Sequence, residues 1–409
     1  MLCQFTFKNF KSYKNETTLD MQAVSHGFED SLLKSRSDDT EFLPVSVIYG
    51  PNGGGKSNVL EAFRCMYHFI LRPIWIMRTE KKEFPTIKCT PFLFDETSQN
   101  EPTEFEVYFR PKREENEYEY EYRYTLSVLN GEIYEESLYR HKLPRRGQSA
   151  MIFERSNGEI KLGASINKAS IETEVNDRMP YLSFLYIFYK LEPVIKATDW
   201  FRSCFFQNYA RFTVDMRRVP KHQSFFKKQI LDVFSDVGIN VSNYEILGEN
   251  NEDIDDILFK HPVKDSVYDL SISLESDGTR KLFALMTYLL AVLRYGDLAI
   301  LDELDASLHP KLLRYIIMLF KNPEINKNNA QLIFTSHDIS TMKSSVYRTD
   351  EIWFACKTED ESSDLYSLYD IRDESGNRIK PDAAFDKQYL EGRYGADPYF
   401  SNMMKWEDD

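Results

Sequence analysis

The sequence predicts an α/β fold with a largely parallel central sheet, joined by an antiparallel β lobe and a helical insertion. Three observations lead there. The β-branched run PVSVIY (44–49) passes directly into GPNGGGKS (50–57) and then into a segment where Val59, Leu60, Phe63, Tyr67 and Ile70 recur at helical spacing, so the chain reads strand, glycine loop, helix. After Asp277 the order helix (282–293), strand (LAIL, 298–301), helix (310–320), strand (AQLIF, 330–334) has uninterrupted apolar strands, as expected of a parallel sheet covered on both faces. Between Glu104 and Tyr139 the period falls to two, most clearly in EYEYEYRY (117–124), which implies antiparallel strands with one wetted face.

In chain order, Phe5, Phe7 and Phe10 interleave with Thr6, Lys8 and Asn9 and suggest a half-buried opening strand, followed by a polar loop up to Glu41. In EYEYEYRY, Tyr118, Tyr120, Tyr122 and Tyr124 share one face and Glu117, Glu119 and Glu121 the other, so the glutamates are expected in solvent. From Arg140 to His261 the periodicity weakens, and PVIKATDWFRSCFF (193–206), with Pro193 suited to a first turn, reads as helix. No sustained heptad repeat marks a coiled-coil arm. The expected organisation is an N-terminal lobe over 1–139, a mainly helical insertion over 140–262 and a C-terminal lobe over 263–409.

A chain of 409 residues can bury a full core, and 42% hydrophobic with 28% charged residues excludes wholesale disorder. Cys3, Cys65, Cys89, Cys204 and Cys356 are scattered, with no CxxC pair, which points to a reducing cytoplasm. The most apolar run, LFALMTYLLAVL (282–293), falls short of the roughly 20 residues a bilayer requires, and the N-terminus lacks the apolar region of an export signal, so no membrane attachment is expected. A formal net charge of -14 argues against a chain coated in basic surface for gripping nucleic acid. Only RHKLPRRG (140–147) and RRVPKHQSFFKK (217–228), which holds Arg217, Arg218, Lys227 and Lys228, concentrate enough positive charge to contact a phosphate backbone.

GPNGGGKS matches the P-loop pattern in the context that pattern requires. Gly50, Gly53, Gly54 and Gly55 let backbone N–H groups converge on phosphates, with Pro51, Asn52 and Asn58 in the same turn, and the helix N-terminus adds partial positive charge. Lys56 would reach the β and γ phosphates of ATP, and Ser57 would ligate Mg²⁺. LAILDE (298–303) delivers Asp302 to the end of a buried strand, where it would hold the Mg²⁺ shell, and sets Glu303 to polarise the attacking water. LIFTSHD (332–338) puts His337 just past the next strand, placed for the γ-phosphate, whereas His309, before Pro310, fits either the site or a helix cap.

Together, GPNGGGKSN, LESDGTRKLF (274–283), LAILDELDASLHP (298–310) and LIFTSHD resemble the ATPase heads of the ABC class, in particular the SMC, RecF and OLD-like branch. That resemblance implies a dimer in which a serine-glycine signature on one subunit closes over ATP held by the P-loop of the other. Ser276, Gly278 and Thr279 fill the signature's positions, with SDGT in place of the usual SGGQ, and Asp305 falls in the D-loop that lines the composite interface. Ser276 also fits an ordinary helix N-cap. For the Q-loop glutamine of such heads, Gln99 is the candidate.

More narrowly, FKNFKSY (7–13), ESDGTRKL, DELDASLHP and YLEGRYGADP (389–398) resemble the AAA-family ATPases called RloA or AbiL, from bacterial abortive-infection and restriction-linked loci. Membership there implies a separate effector subunit, often RloB-like with a TOPRIM-like fold. The glutamate and DxD pair of OLD nucleases is not completed after Glu391, and no histidine follows His337 as ATPase-linked anticodon nucleases need, so no nuclease centre is expected in this chain. The expectation is a cytoplasmic ATPase that uses ATP and Mg²⁺, assembles as a homodimer or higher oligomer through composite ATP sites, and controls an effector in anti-phage defence. The alternative is a RecF-like or SMC-like ATPase of DNA maintenance, with DNA as its partner.

Overall fold

The computed structural model describes residues 1–24, 31–77, 87–112, 117–144, 147–164, 166, 171–209, 226–248, 256–306, 308–373 and 375–396. From the N-terminus come β1 (Leu2–Lys8), β2 (Thr17–Asp20), a small hairpin of β3 (Leu33–Lys34) and β4 (Glu41–Phe42), and β5 (Val45–Tyr49), which leads into α1 (Lys56–Ile76). A short α2 (Glu96–Asn100) precedes β6 (Thr103–Phe109), β7 (Tyr120–Leu129), β8 (Glu132–Lys142), β9 (Ala150–Ser156) and β10 (Glu159–Leu162). Next are α3 (Tyr181–Phe188), α4 (Glu192–Arg202), β11 (Cys204–Asn208), α5 (Lys227–Asp236) and a three-stranded sheet of β12 (Asn243–Leu247), β13 (Asp256–Val263) and β14 (Ser266–Ser271). The chain then runs through α6 (Asp277–Tyr295), β15 (Leu298–Asp302), α7 (Pro310–Lys321), β16 (Gln331–Thr335), β17 (Ile352–Lys357), β18 (Ser363–Ser367) and α8 (Phe385–Leu390).

The central sheet has the order β11-β15-β16-β5-β17-β18 and is parallel except for β18, which folds back on β17. Its strands are apolar because both faces are covered. Alternate residues enter two cores: Val45, Val47, Ala299 and Leu301 join Phe283 of α6 and Ile316 of α7, while Ile48, Leu298 and Ile300 join Phe63 and Phe69 of α1. The mixed α/β class with an antiparallel lobe is thus what the chain adopts.

That lobe is a seven-stranded sheet in the order β10-β9-β8-β7-β6-β1-β2. Its inner face packs on α1 and α4: the Phe5 and Phe63 rings lie 4.7 Å apart, and Trp200 stacks on Phe109 at 4.1 Å. Truncating one of these rings to alanine would cost about 3–5 kcal/mol. Tyr118, Tyr122 and Tyr124 are buried as the alternation predicts, but Glu121 is not in solvent. It is buried against Arg110, which donates to it at 3.0 and 2.8 Å and grips Asp38 with both ends of its guanidinium. Period-two patterning cannot distinguish a paired acid from a wetted one.

The stretch 140–262 differs from the mainly helical insertion expected. Its boundary falls inside β8, β9 and β10 extend the antiparallel sheet, and β11 is the edge strand of the central sheet, parallel to β15. Within PVIKATDWFRSCFF the helix stops at Arg202 because Phe205 and Phe206 are needed on opposite sides of the sheet. Phe205 stacks on Tyr288 of α6, and Phe206 meets Tyr67 and Phe63 of α1. Of the basic tracts, Arg145, Arg146, Arg217 and Arg218 lie outside the described residues; Lys227 and Lys228 open α5, with the Lys227 ammonium 5.2 Å from the Tyr244 ring. Among the described residues no helix is long and apolar enough to cross a membrane.

Candidate functional site

Parallel strands in close register end at one edge, and the loops that leave β5, β15 and β16 therefore emerge together. The loop after β5 turns on Gly50 (φ 144), Gly53 (φ 78) and Gly55 (φ 109), backbone values that strain any residue with a Cβ. A Cβ at Gly50 would stand 2.0 Å from the Ala355 carbonyl oxygen and one at Gly54 2.5 Å from it, because the backbone of β17 presses against the loop. Asn52 and Gly53 lie exposed at its crest. Lys56 opens α1 and is buried; its ammonium donates to the carbonyls of Gly50 at 2.8 Å and Pro51 at 3.0 Å. Burial lowers the Lys56 pKa, opposed by the charges of Asp302, Asp305 and Glu303 that face it.

Asp302 ends β15 as the focus of four hydrogen bonds. Ser57 and Thr335 donate to Oδ1 at 3.0 and 2.7 Å, Asn208 donates to Oδ2 at 2.8 Å, and the Tyr209 amide donates to the Asp302 carbonyl at 2.8 Å. The next residue, Glu303, takes a left-handed φ of 53, and its amide donates to Thr335 Oγ1 at 2.7 Å. Thr335 thus bridges the two acids by accepting from one residue and donating to the other. Asp305 follows in the turn: its Oδ2 accepts the His337 amide at 3.0 Å, while its Oδ1 is buried with no hydrogen-bond partner among the described residues. The His337 side chain, just past β16, is exposed on this edge. His309 is a helix cap, its Nδ1 accepting the Lys311 amide at 3.2 Å.

Ser276, Gly278 and Thr279 form a separate feature at the N-terminus of α6. The helix begins at Asp277, a turn before the apolar run, because Ser276 caps it: Ser276 Oγ accepts the Thr279 amide at 3.1 Å and shares a 2.8 Å hydrogen bond with the Thr279 hydroxyl. A Cβ at Gly278 would meet only Ser276 Oγ, at 3.9 Å, so the fold itself does not require glycine there.

Gln99 is not part of this constellation. It sits in α2 with its amide on the Leu93 carbonyl at 2.8 Å. The polar residues beside Asp302 are Gln207 and Asn208 at the end of β11, which line a cleft of about 270 Å³ with Ser57, Glu61 and Arg64. Reading PVIKATDWFRSCFF as helix through Phe206 hid the strand that ends in them. Thr335 carries no motif in the sequence, and FKNFKSY marks a family resemblance there without showing what its residues touch. Asn58 of α1 donates to Ser12 at 2.8 Å, Ser363 donates to the same hydroxyl at 2.8 Å, and Tyr13 lies under the loop with its hydroxyl 3.4 Å from the Gly55 carbonyl. The motif braces the glycine loop from below.

Comparison with known proteins gives a family match over residues 45–343, well over half of the chain, to a model described as "AAA domain, putative AbiEii toxin, Type IV TA system". No curated protein matches. Among solved structures, the SMC head domain from Thermotoga maritima is similar at 18% identity, covering 90% of this chain and 98% of that one with a TM-score of 0.38. CbiO1 from Clostridium perfringens, part of the ABC transporter complex CbiONQ, is similar at 14% identity over 55% of this chain and 70% of that one, with a TM-score of 0.24.

Proposed function

The chain belongs to the AAA-domain family described as putative AbiEii toxin of type IV toxin–antitoxin systems, and from that premise we propose an ABC-type ATPase that hydrolyses ATP with Mg²⁺. In this reading it dimerises through two sandwiched nucleotides and serves as the cytoplasmic regulatory subunit of a bacterial anti-phage system, switching a separate effector. The observation that carries the ATPase reading is the 3.0 Å hydrogen bond between Ser57 and Asp302, which joins the first turn after a glycine loop to the acid ending a buried strand. A hydroxyl and a carboxylate converging without nitrogen or sulfur donors suit a hard cation. Ser57 and Asp302 would hold Mg²⁺, which neutralises phosphate charge when bound.

The remaining chemistry belongs to the side chains. Backbone amides of the glycine loop and the N-terminus of α1 bind the phosphates, and Lys56 stabilises charge on the transferring group. Glu303 orients the attacking water and takes up its proton, and His337 donates to the γ-phosphate. Ser276, with the amides near Gly278 and Thr279, grips the phosphate of the opposite subunit's nucleotide, which explains a glycine that its own fold leaves unexplained. Asp305, anchored on His337, lines the interface between subunits. Because nucleotide and partner bind one another's site, ATP affinity and dimer affinity rise together.

Calorimetric ATP titration of the purified chain, with and without Mg²⁺, followed by phosphate release, tests the core of this reading. Binding with slow Mg²⁺-dependent turnover is expected; failure to bind ATP in Mg²⁺ would overturn it. Co-purification with the product of the neighbouring gene tests the effector separately. The regulatory role falls if the neighbour neither binds nor changes activity with the nucleotide state.

A further inference from the structure

The link from β14 to α6 turns one acid inward. Leu274 is 71% exposed and Ser276 and Gly278 also face solvent, but the side chain of Glu275, between Leu274 and Ser276, is only 9% exposed. A carboxylate is buried to this depth only against a partner, and His261 of β13 supplies it, with Nε2 2.6 Å from Glu275 Oε1. An ionised carboxylate can only accept, so the imidazole carries a proton on that nitrogen and donates through it. The same link is pinned at two further points: Ser271 Oγ donates to Asp256 Oδ1 of β13 at 2.9 Å, and Ile272 enters the core. Lys260, the other base on β13, is held by Glu245 at 3.1 Å and Asp269 at 3.3 Å.

We propose that His261 is a positioning residue for the phosphate grip at the start of α6, holding the Glu275 charge away from the anion that Ser276 faces. This rests on the reading of Ser276, Gly278 and Thr279 as the contact with the opposite subunit's nucleotide. Two acids flank that serine. A carboxylate beside a helix N-terminus that takes a phosphate opposes the binding its amides favour. Both acids are tied to bases: Asp277 faces Arg280 at 3.3 Å and Lys281 at 3.2 Å, and Glu275 faces His261. The two ties differ in reach. Asp277 is held within its own helix, whereas Glu275 is held to the three-stranded sheet, so that sheet sets where the residue after it, the capping serine, is presented. Without His261 the carboxylate loses its partner, and its way out of burial is toward the solvent beside Ser276.

The test follows dimerisation of the full chain by sedimentation velocity in Mg²⁺ and a non-hydrolysable ATP analogue, with calorimetry for nucleotide binding to the monomer and thermal melting for the fold. His261→Ala should weaken the dimer about tenfold at each of the two composite sites, the scale of a like charge a few ångströms from a phosphate near a protein surface. Monomer affinity should hold, and the defect relative to wild type at the same salt should shrink as salt is raised. His261→Gln, whose amide donates from nearly the same point as Nε2, should restore the dimer. Glu275→Gln in the alanine background should restore it too, because the charge is gone. If the alanine variant melts early, Glu275→Gln alone decides: it keeps an acceptor for His261 and should dimerise at least as tightly as wild type. Wild-type dimerisation in His261→Ala would overturn the proposal, as would a defect that neither salt nor Glu275→Gln relieves, or weaker dimers in Glu275→Gln alone. A wild-type chain that binds the nucleotide but never dimerises would overturn the grip in trans as well, whereas wild-type dimers beside an unaffected alanine variant would overturn this proposal alone.

Discussion

The Ser57 hydroxyl donates to the Asp302 carboxylate at 3.0 Å, joining the start of α1 to the end of β15 across most of the chain. Asn208 donates to the other carboxylate oxygen at 2.8 Å, so β11 fixes which way that acid faces. Partners of this kind typically change metal affinity about 10–100-fold when removed. Asn208→Ala is therefore expected to raise the Mg²⁺ concentration needed for half-maximal ATP hydrolysis by roughly that factor. An unchanged Mg²⁺ titration would remove Asn208 from the metal's support.

Glu303 is held off the strand by its left-handed backbone and by the bond from its amide to Thr335, so its carboxylate is presented separately from that of Asp302. Glu303→Gln keeps the shape and removes the base of the proposed mechanism. Hydrolysis should fall about 10²–10⁴-fold while ATP binding persists, and light scattering should find a nucleotide-bound dimer. Wild-type turnover in this variant would reassign the water-orienting residue.

The parts of this site visible in the sequence are those where one local rule decides the outcome. Glycines that permit positive φ before a lysine and a helix, and an apolar strand ending in two acids, can be read without knowing what lies beside them. Asn208 and Thr335 are different, because their role exists only through the pairing of β11 and β16 with β15. The same holds for Glu121, whose burial is stabilised by an arginine from β6's end, and for β11, whose two phenylalanines serve opposite faces of a sheet. Long-range pairing overrode local periodicity at each of these positions.

The capping bond from Ser276 to Thr279 allows two roles for that serine to be separated. Aspartate caps as well as serine, so Ser276→Asp should leave the melting temperature nearly unchanged. Its charge would repel a phosphate, so ATP-dependent dimerisation should be lost while monomer binding of ATP survives. Gly278→Ala adds a Cβ that meets only Ser276 Oγ, at an unstrained 3.9 Å, and should stabilise α6 by up to about 1 kcal/mol, yet impair the same dimerisation. ATP-dependent dimers in both variants would leave Ser276 as a cap alone.

The glycine loop is tested by Gly54→Ala, whose Cβ would lie 2.5 Å from the Ala355 carbonyl oxygen. Because the obstacle is backbone of β17, the loop rather than a side chain must move. A destabilisation of about 1–3 kcal/mol is expected in urea unfolding, together with weaker ATP binding. Equal stability and affinity would show that the loop and β17 are less closely packed than this geometry requires.

Arg110 anchors the far end of the antiparallel lobe between Asp38 and Glu121, and its pH behaviour follows from the direction of the Asp38 shift. Burial raises the Asp38 pKa, but hydrogen bonds from Arg110, Ser35 and Thr40 outweigh it and bring the carboxyl down to about 2. A folded-state value below the unfolded value of about 3.9 means the pairing stabilises the fold fully above that pH and loses its effect as pH falls toward about 2. Asp38→Asn should therefore flatten acid unfolding, followed by circular dichroism, between about pH 4 and pH 2, with little change in the shape of the profile above it. Arg110→Leu strands Glu121 as a buried uncompensated charge and should cost about 3–5 kcal/mol at neutral pH, with Arg110→Lys recovering only part because one ammonium cannot serve both carboxylates bidentately. Wild-type stability in the leucine variant would mean that Glu121 escapes to solvent, and the buried network would not be the anchor of this lobe.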